Sequence, residues 1–368
     1  MESREESGLR IRNRRLTAGV LTPLGAIGVF VIMFLSVGTT AATPSPTQPN
    51  NVLTTIPGLD AIAANSTVVF AQAEQNCSQI WGIAPWDAVG IYAHVPITNA
   101  NCTQGSLVIA PANTSCGNLS LGINAPSAAS RSGPAVYGAW TSSCPPCPCV
   151  ADDLYDVTGG SLFQISDWGT IVTTMDTFPV PIVPRENMGL TYDQVGTFDH
   201  DLIVTSSDTG NIWLVNITTY AVTPFLKMGT YISSPAVAPM SFGSLGGDLL
   251  VAVKHNSQVD AITPGGIISV VTHWKFANSV AFSTSNNTFG PDNDVFFVAN
   301  YTSGALEAYT ASQLAPYAGL GFVAGGHDAG IAAFNSLGVK TLFGTGTDRV
   351  SAIAFITANP ACCCCKTC

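Results

Sequence analysis

The feature that most constrains the fold is a pattern of short strands repeated along the second half of the chain. Each copy has an apolar run, a polar turn, a second apolar run, a Gly-containing turn and a third run. The copies begin near residues 189, 236, 279 and 330, at spacings of 47, 43 and 51 residues. Repeats of about 40–50 residues with three or four strands each are typical of β-propeller blades. The pattern therefore predicts an all-β chain folded as a β-propeller.

The repeats also predict the order of the strands. The last two copies are assigned strands at 279–282, 294–299 and 304–309, and at 330–334, 340–344 and 349–355. Similar runs between residues 58 and 174 supply the remaining blades, so we expect six blades, with seven as the alternative. Either the first blade recruits the strand at 350–356, or residues 52–56 complete the last blade. Both arrangements close the ring and remove an open sheet edge.

Composition excludes the main competing classes of fold. Charged residues make up only 10% of the chain and hydrophobic residues 46%, with 35 Gly and 23 Pro. Disordered chains carry more charge, and coiled coils need abundant Glu, Lys, Arg and Ala. No stretch after residue 40 has the sustained helical periodicity that a parallel α/β fold requires of its crossover helices.

The N-terminus predicts attachment to a membrane. Residues 1–15 form a basic tail, residues 16–38 are uncharged and apolar, and residues 39–51 are a stalk rich in Pro and Thr. The apolar segment would span about 33 Å as a helix, enough to cross a bilayer. The preceding arginines place the tail in the cytoplasm and a propeller at 52–359 outside it, as a type II protein. The alternative is a signal peptide cleaved near Ala42, which gives a secreted protein.

Charge is distributed unequally on the two sides of that segment. The net charge is −10, made up of +2 in the first fifteen residues and −12 in the remainder. Nucleic-acid binding needs clustered Lys and Arg to neutralise phosphates. We therefore expect no nucleic-acid partner, and expect the membrane to be contacted through the N-terminal helix.

Eleven cysteines form two groups in the extracytoplasmic part. In an oxidising compartment the first group would form three disulfides. These six candidates are Cys77, Cys102, Cys116, Cys144, Cys147 and Cys149. Most of them fall in an irregular insertion at about 85–150. The Cys-rich tail at 360–368 holds the other five, between Cys362 and Cys368, and intermolecular crosslinking is one use for it.

Eight Asn-x-Ser/Thr sequons lie downstream of the apolar segment. As glycosylation candidates they would mark exposed loops. They are Asn65, Asn76, Asn101, Asn113, Asn118, Asn216, Asn286 and Asn300.

The openings of two repeats resemble a known class of propellers. Asn278-Ser279-Val280-Ala281-Phe282 and Asn187-Met188-Gly189-Leu190-Thr191-Tyr192-Asp193 are similar to the blade openings of the NHL-repeat and gluconolactonase-like six-bladed propellers. The same resemblance extends to secreted bacterial propellers of unassigned function. It covers residues 185–335 and concerns architecture.

The resemblance also implies a metal site. Hydrolytic members of the class hold calcium over the central channel, which would make Asn278 a ligand and Asn187 a poorer one. The chain departs from the class where the second strand should end in Asp, because it has Ser206 in one repeat and Asn300 in another. Calcium affinity rises with the charge of the ligands. No cofactor is therefore expected, and calcium remains the alternative.

One further pair of residues is a catalytic candidate. His327 and Asp328 lie in a Gly-rich loop before the run at 330–334, and a histidine near the channel could act as a general base. His255 and His273 have no evident partners in the sequence.

Two functions follow from these observations. The first is a non-enzymatic ectodomain that presents a binding or structural surface to a protein or glycan. The alternative is a calcium-dependent hydrolase of lactones or esters.

Overall fold

A computed structural model gives the structure of the propeller region. It describes residues 47–55, 59–64, 69–73, 79–83, 135–137, 154–158, 161–166, 171–178, 188–207, 209–283, 294–344 and 349–355. All of these belong to the second of two units of the chain, residues 43–368. The predicted tail, the membrane segment, the insertion apart from 135–137, and all eleven cysteines lie outside the described residues. Within the described ranges, no helix is both long enough and apolar enough to cross a membrane.

Strands are the main secondary structure of the described residues, as the repeats predict. In chain order the first strands are β1 (Asn51–Thr55), β2 (Leu59–Ala64), β3 (Val69–Ala73), β4 (Gln79–Ile83), β5 (Ala135–Tyr137), β6 (Leu154–Thr158), β7 (Ser161–Ser166) and β8 (Ile171–Thr177). The next are β9 (Met188–Tyr192), β10 (Leu202–Ser206), β11 (Asn211–Val215), β12 (Val222–Lys227), β13 (Ile232–Val237), β14 (Leu249–Val253), β15 (Gln258–Ile262) and β16 (Ile268–His273). The last are β17 (Ala277–Phe282), β18 (Asp294–Asn300), β19 (Ala305–Thr310), β20 (Gly321–Gly325), β21 (Gly330–Phe334), β22 (Lys340–Leu342) and β23 (Val350–Phe355).

In the described ranges, three short helical elements accompany the strands. They are a 3-10 turn at Gly243–Leu245, the helix α1 at Ala311–Leu314 and a 3-10 turn at Ala315–Tyr317. The helix begins with a capping box, in which Thr310 and Gln313 satisfy each other's backbone N–H groups.

The strands form antiparallel sheets that surround a common centre. The sheet orders are β2-β3-β4, β5-β6-β7-β8, β12-β11-β10-β9 and β1-β19-β18-β23. Two further sheets of four strands each, β16-β15-β14-β13 and β17-β20-β21-β22, are joined edge to edge through one parallel bridge, Ser234 to Ser279. The strands β2, β5, β9, β13, β17 and β23 contact one another in that order, and β23 returns to β2. This closed ring of inner strands makes the fold a β-propeller.

Among the strands whose side chains are all described, four are buried along their whole length, because neighbouring sheets cover both of their faces. They are β10, β14, β20 and β21. Such strands have no solvent face on which to carry Lys or Glu, so their sequences are apolar, Gly or small hydroxyl residues. This packing explains part of the scarcity of charge in the chain.

The last two repeats do not fold in the predicted strand order. Strand β17 pairs with β20, while β18 and β19 pair with β23 and β1 in the neighbouring sheet. The predicted unit of 279–282, 294–299 and 304–309 is therefore divided between two sheets. Its division buries Phe296 of β18 against Phe355 of β23, with ring centroids 4.4 Å apart.

The N-terminal end of the propeller closes the ring. Strand β1 pairs with β19, in the same sheet as the C-terminal strand β23. Thr47 N donates to Phe343 O at 2.6 Å, and Gln313 Nε2 donates to Gln48 O at 2.7 Å. The prediction that residues 52–56 complete the last blade is confirmed for strand β1. The outer edge of β19 is covered as a result.

Candidate functional site

The side chain of Asn278 ties together three of the inner strands. Its Nδ2 donates to Ser351 O of β23 at 2.6 Å, and its Oδ1 accepts from Ser233 Oγ of β13 at 3.3 Å. Asn278 itself lies on β17. Both polar ends of the predicted calcium ligand are thus engaged by the protein, although Oδ1 keeps a second lone pair.

Small hydroxyl groups also make other contacts to the inner strands β13 and β23. Thr205 Oγ1 donates to Ser233 O at 3.3 Å, and the backbone N of Ile353 donates to Ser279 Oγ at 3.4 Å. Asn187, the second predicted ligand, lies outside the described residues. Among the residues that are described, no group of three His, Cys, Asp or Glu side chains could hold a metal ion.

His327 and Asp328 lie in the turn between β20 and β21, the second and third strands of their sheet counted from the ring. Both residues are exposed and both have positive φ, 49° and 63°. The imidazole packs on Phe276 with ring centroids 4.7 Å apart. The pair therefore belongs to an outer hairpin turn, and its known contact is aromatic.

A buried carboxylate that sequence reasoning did not single out organises the loop before β10. Asp193 is fully buried and accepts from four backbone N–H groups. These are Val195 at 3.0 Å, Gly196 at 2.9 Å, Phe198 at 2.6 Å and His200 at 3.3 Å. The only signal in the sequence is an Asp that follows a strand and precedes Gly196, a common turn pattern.

The neighbouring carboxyl group has a shifted pKa. Burial raises the pKa of Asp201, and the charges of Asp199 and Asp193 raise it further, whereas the hydrogen bond from Asn216 Nδ2 at 3.1 Å opposes the rise. Burial also raises the pKa of Tyr192, and the charges of Asp193 and Asp201 add to that rise. The hydrogen bond from Asn216 connects Asp201, at the end of this loop, to the turn after β11.

A cavity of about 510 Å³ opens between the sheet of β13–β16 and the sheet that contains β20–β22. Its walls come from three turns and from the ends of β16 and β22, and the lining residues include no acidic side chain. The lining residues are Asn256, Ser257, His273, Trp274, Lys275, Ala329 and Lys340. His273, which has no evident partner in the sequence, is one of them.

Cations lie against aromatic rings in and around this cavity. Lys340 Nζ is 5.6 Å from the Trp274 ring centroid, and Lys275 Nζ is 5.8 Å from that of Phe276. In the turn that supplies Asn256 and Ser257, Lys254 and His255 both lie on Tyr231, at 5.3 Å and 5.0 Å. Five Lys or Arg residues fall within the described ranges, and three of these belong to this group.

The tryptophan in the cavity is held in place by the core. Trp274 Nε1 donates to Gly330 O at 3.3 Å, and the half-buried ring packs against a hydrophobic cluster that includes Val280 and Phe334. A buried carboxyl group lies close to the same strands. Burial raises the pKa of Asp260, while the hydrogen bond from Gln258 and the nearby His273 lower it.

Exposed apolar side chains continue the surface beyond Lys340. The turn at 335–339 lies beside β16, because Thr272 Oγ1 donates to Gly338 O at 3.0 Å. We call the exposed apolar residues of β16, β22 and the adjoining turns the apolar edge. Its members are Ile267, Ile268, Val270, Leu337, Val339 and Leu342, of which Leu337 is 82% exposed. Large exposed apolar surfaces commonly mark interaction sites.

Two of the eight sequons lie within the described residues. Asn216 is half-buried in the turn after β11, where its Oδ1 accepts from Thr218 N and Thr219 N. Asn300 is 4% exposed, and its Nδ2 donates to Glu307 Oε1 at 2.9 Å. Asn300 therefore does not lie on an exposed loop. The other six sequons are outside the described residues.

We expect Asn300 to be unmodified when the protein is produced in a glycosylating host. A glycan on Nδ2 would have no room at this buried position and would displace Glu307. Peptide mass spectrometry of the folded protein should find the Asn300 peptide without glycan. Substantial occupancy of Asn300 in folded protein would contradict the packing described here.

Comparisons with known proteins give similarity of fold only. No protein-family model matches the chain, and no curated protein matches its sequence. The solved structures that it resembles include a putative gluconolactonase, with a TM-score of 0.49 and 10% identity over 82% of this chain and 83% of that one. Another is the calcium-binding protein regucalcin of Agrobacterium tumefaciens, with a TM-score of 0.46 and 10% identity over 85% and 83%.

A third is the virginiamycin B lyase of Staphylococcus aureus, with a TM-score of 0.41 and 12% identity over 80% and 72%. The gluconolactonase carries the name of the class that the repeat openings resemble. At these scores and identities, none of the three structures bears on what this chain binds or catalyses.

Proposed function

We propose that the chain is a non-enzymatic binding ectodomain, a propeller of six blades displayed outside the cell by the anchor at 16–38. Each of the six contacting inner strands would belong to one blade. The ring is closed by β1 and β23, which supports the interpretation of the propeller as a rigid body. Such a body suits recognition, because its loops can vary while its blades keep their arrangement.

The observation that carries this proposal is the joint presence of the cavity and the apolar edge on adjoining sheets. Lys275, Lys340 and Trp274 are gathered at one place in an otherwise acidic chain, and Val339 and Leu342 extend the same surface. Aromatic rings, cations and exposed apolar side chains together are characteristic of binding surfaces. The inner strands, by contrast, use the Asn278 amide to hold one another.

A calcium titration separates this proposal from the alternative of a metal-dependent hydrolase. Calcium sites of extracellular modules have dissociation constants of about 0.1–1 mM. We expect isothermal titration with calcium to show no saturable site in that range, and a panel of lactones and esters to remain unhydrolysed. Asn278→Ala should lower the free energy of unfolding by about 2 kcal/mol, because two partly buried hydrogen bonds are lost.

Asn211→Ala is the matched control, since it removes an amide from β11, two strands away from the ring. The proposal would be overturned if the protein binds calcium saturably and hydrolyses a lactone or ester, and if both properties are lost in Asn278→Ala but kept in Asn211→Ala. The same result would establish the hydrolase.

A further inference from the structure

We propose that the cavity between the two sheets binds an acidic sugar, a pyranose ring that bears a carboxylate or a sulfate. This inference rests on the proposed binding function and names the ligand class. The sugar is either free or the terminal residue of a glycan, since both present the same chemistry.

The dimensions of the cavity fit a small ligand. Its volume of about 510 Å³ lies within the range of small-molecule sites, about 300–1,000 Å³. Three turns form its walls, and each begins or ends at a strand of the propeller. The walls are therefore held by the sheets, and a ligand need not order a long loop.

The two lysines of the cavity and the net negative charge of the chain together favour an anion of limited size. Lys275 and Lys340 line the cavity, and no carboxylate in the described part of the chain pairs with either of them. Lys340 Nζ donates to His273 O, a bond that leaves its remaining protons for a ligand. The chain after residue 43 carries a net charge of −12, which disfavours a long polyanion but leaves room for a single acidic group.

The neutral walls suit a sugar ring. Trp274 offers an aromatic surface for the C–H face of a pyranose, and Asn256 and Ser257 offer donors and acceptors for its hydroxyl groups. Both cations are lysines, whose ammonium groups act as point charges and need no planar, two-pronged partner. The aromatic ring matches the C–H face of an acidic sugar, the neutral polar groups match its hydroxyl groups, and the two point charges match its carboxylate or sulfate.

The test uses the full chain in detergent micelles and four soluble probes. N-acetylneuraminic acid represents the free acidic sugar, sialyllactose the glycan terminus, lactose the neutral sugar, and triglutamate the acidic peptide. Binding is measured by saturation-transfer NMR and isothermal titration. We expect both acidic sugars to bind and lactose and triglutamate to bind at least about tenfold more weakly. Equal binding of the two acidic sugars indicates a site for the sugar itself, whereas tighter binding of sialyllactose indicates a glycan site.

Three variants locate the site. The double variant Lys275→Gln, Lys340→Gln should weaken binding of the acidic sugars by about tenfold or more, because each lost cation removes a charge-assisted contact. Trp274→Leu should weaken binding of the sugar ring while leaving the two cations in place. Lys227→Gln is the matched control, since it removes one exposed charge at the end of β12 and should change binding less than twofold.

Four results would overturn the proposal. They are no binding of either acidic sugar at 10 mM (roughly 3 kcal/mol of binding free energy), equal binding of lactose, tighter binding of triglutamate, and equal losses in the double variant and in Lys227→Gln. None of these results changes the calcium and hydrolysis measurements at Asn278. Failure of the sugar site and failure of the non-enzymatic function are therefore distinguishable.

Discussion

Asp193→Ala is expected to lower the free energy of unfolding by about 4 kcal/mol, among the largest effects of any single substitution in the chain. The carboxylate is fully buried and accepts four backbone N–H groups of the loop at 195–200. Alanine would leave those donors without this acceptor, and the bond from Phe198 N is itself buried, so that donor would be left unsatisfied at a cost in free energy. Urea denaturation followed by tryptophan fluorescence measures the loss.

Two further substitutions distinguish the carboxylate from the loop in general. Asp193→Asn keeps one oxygen acceptor but turns an NH₂ group towards backbone donors, so we expect an intermediate loss of about 2 kcal/mol. Asp199→Asn removes an exposed carboxylate in the same loop, keeps a residue type that tolerates the positive φ of 58° at this position, and should change stability by less than about 0.5 kcal/mol. Equal effects of Asp193→Ala and Asp199→Asn would falsify the role assigned to the buried carboxylate.

Phe296→Ala is expected to cost a similar amount, about 4 kcal/mol. The Phe296 side chain is fully buried, and its ring centroid lies 4.4–5.7 Å from the rings of four aromatic neighbours. These are Tyr309, Phe322, Phe343 and Phe355. Truncation would leave a cavity where β18, β20 and β23 meet, and it would remove the aromatic contacts as well.

The same denaturation measurement, with two controls, checks this expectation. Phe296→Leu keeps much of the volume and should cost about half as much. Phe225→Ala removes a half-buried ring on the outer strand β12 and should cost about 1 kcal/mol. A loss in Phe296→Ala no greater than that in Phe225→Ala would mean that the aromatic cluster does not hold the last two sheets together.

The contrast between strand positions and strand partners shows what the sequence could predict. The apolar runs at 279–282, 294–299 and 304–309 located β17, β18 and β19 closely, because turns and alternating side chains mark where a strand begins and ends. The same runs could not tell that β18 leaves β17 for β23. That pairing accompanies contacts of Phe296 with Phe322 and Phe355, which lie 26 and 59 positions further along the chain.

The candidate sites show the same contrast between what the sequence indicates and what only the folded chain brings together. Asn278 was identified because it opens a repeat, and it does lie on an inner strand, but its hydrogen bonds to Ser233 and Ser351 depend on the closed ring. The cavity could not be predicted. Lys275 and Lys340 are sixty-five positions apart in the sequence and meet only because two sheets pack side by side.

The pairing of β1 with β19 has a consequence for biosynthesis. Strand β1 leaves the ribosome first, yet its partner is made about 250 residues later. At typical translation rates of about 5–20 residues per second, the nascent strand waits roughly 13–50 s with its edge unpaired. During that interval the edge of β1 can pair with other chains, so we expect chaperones to matter most until the last sheet has formed.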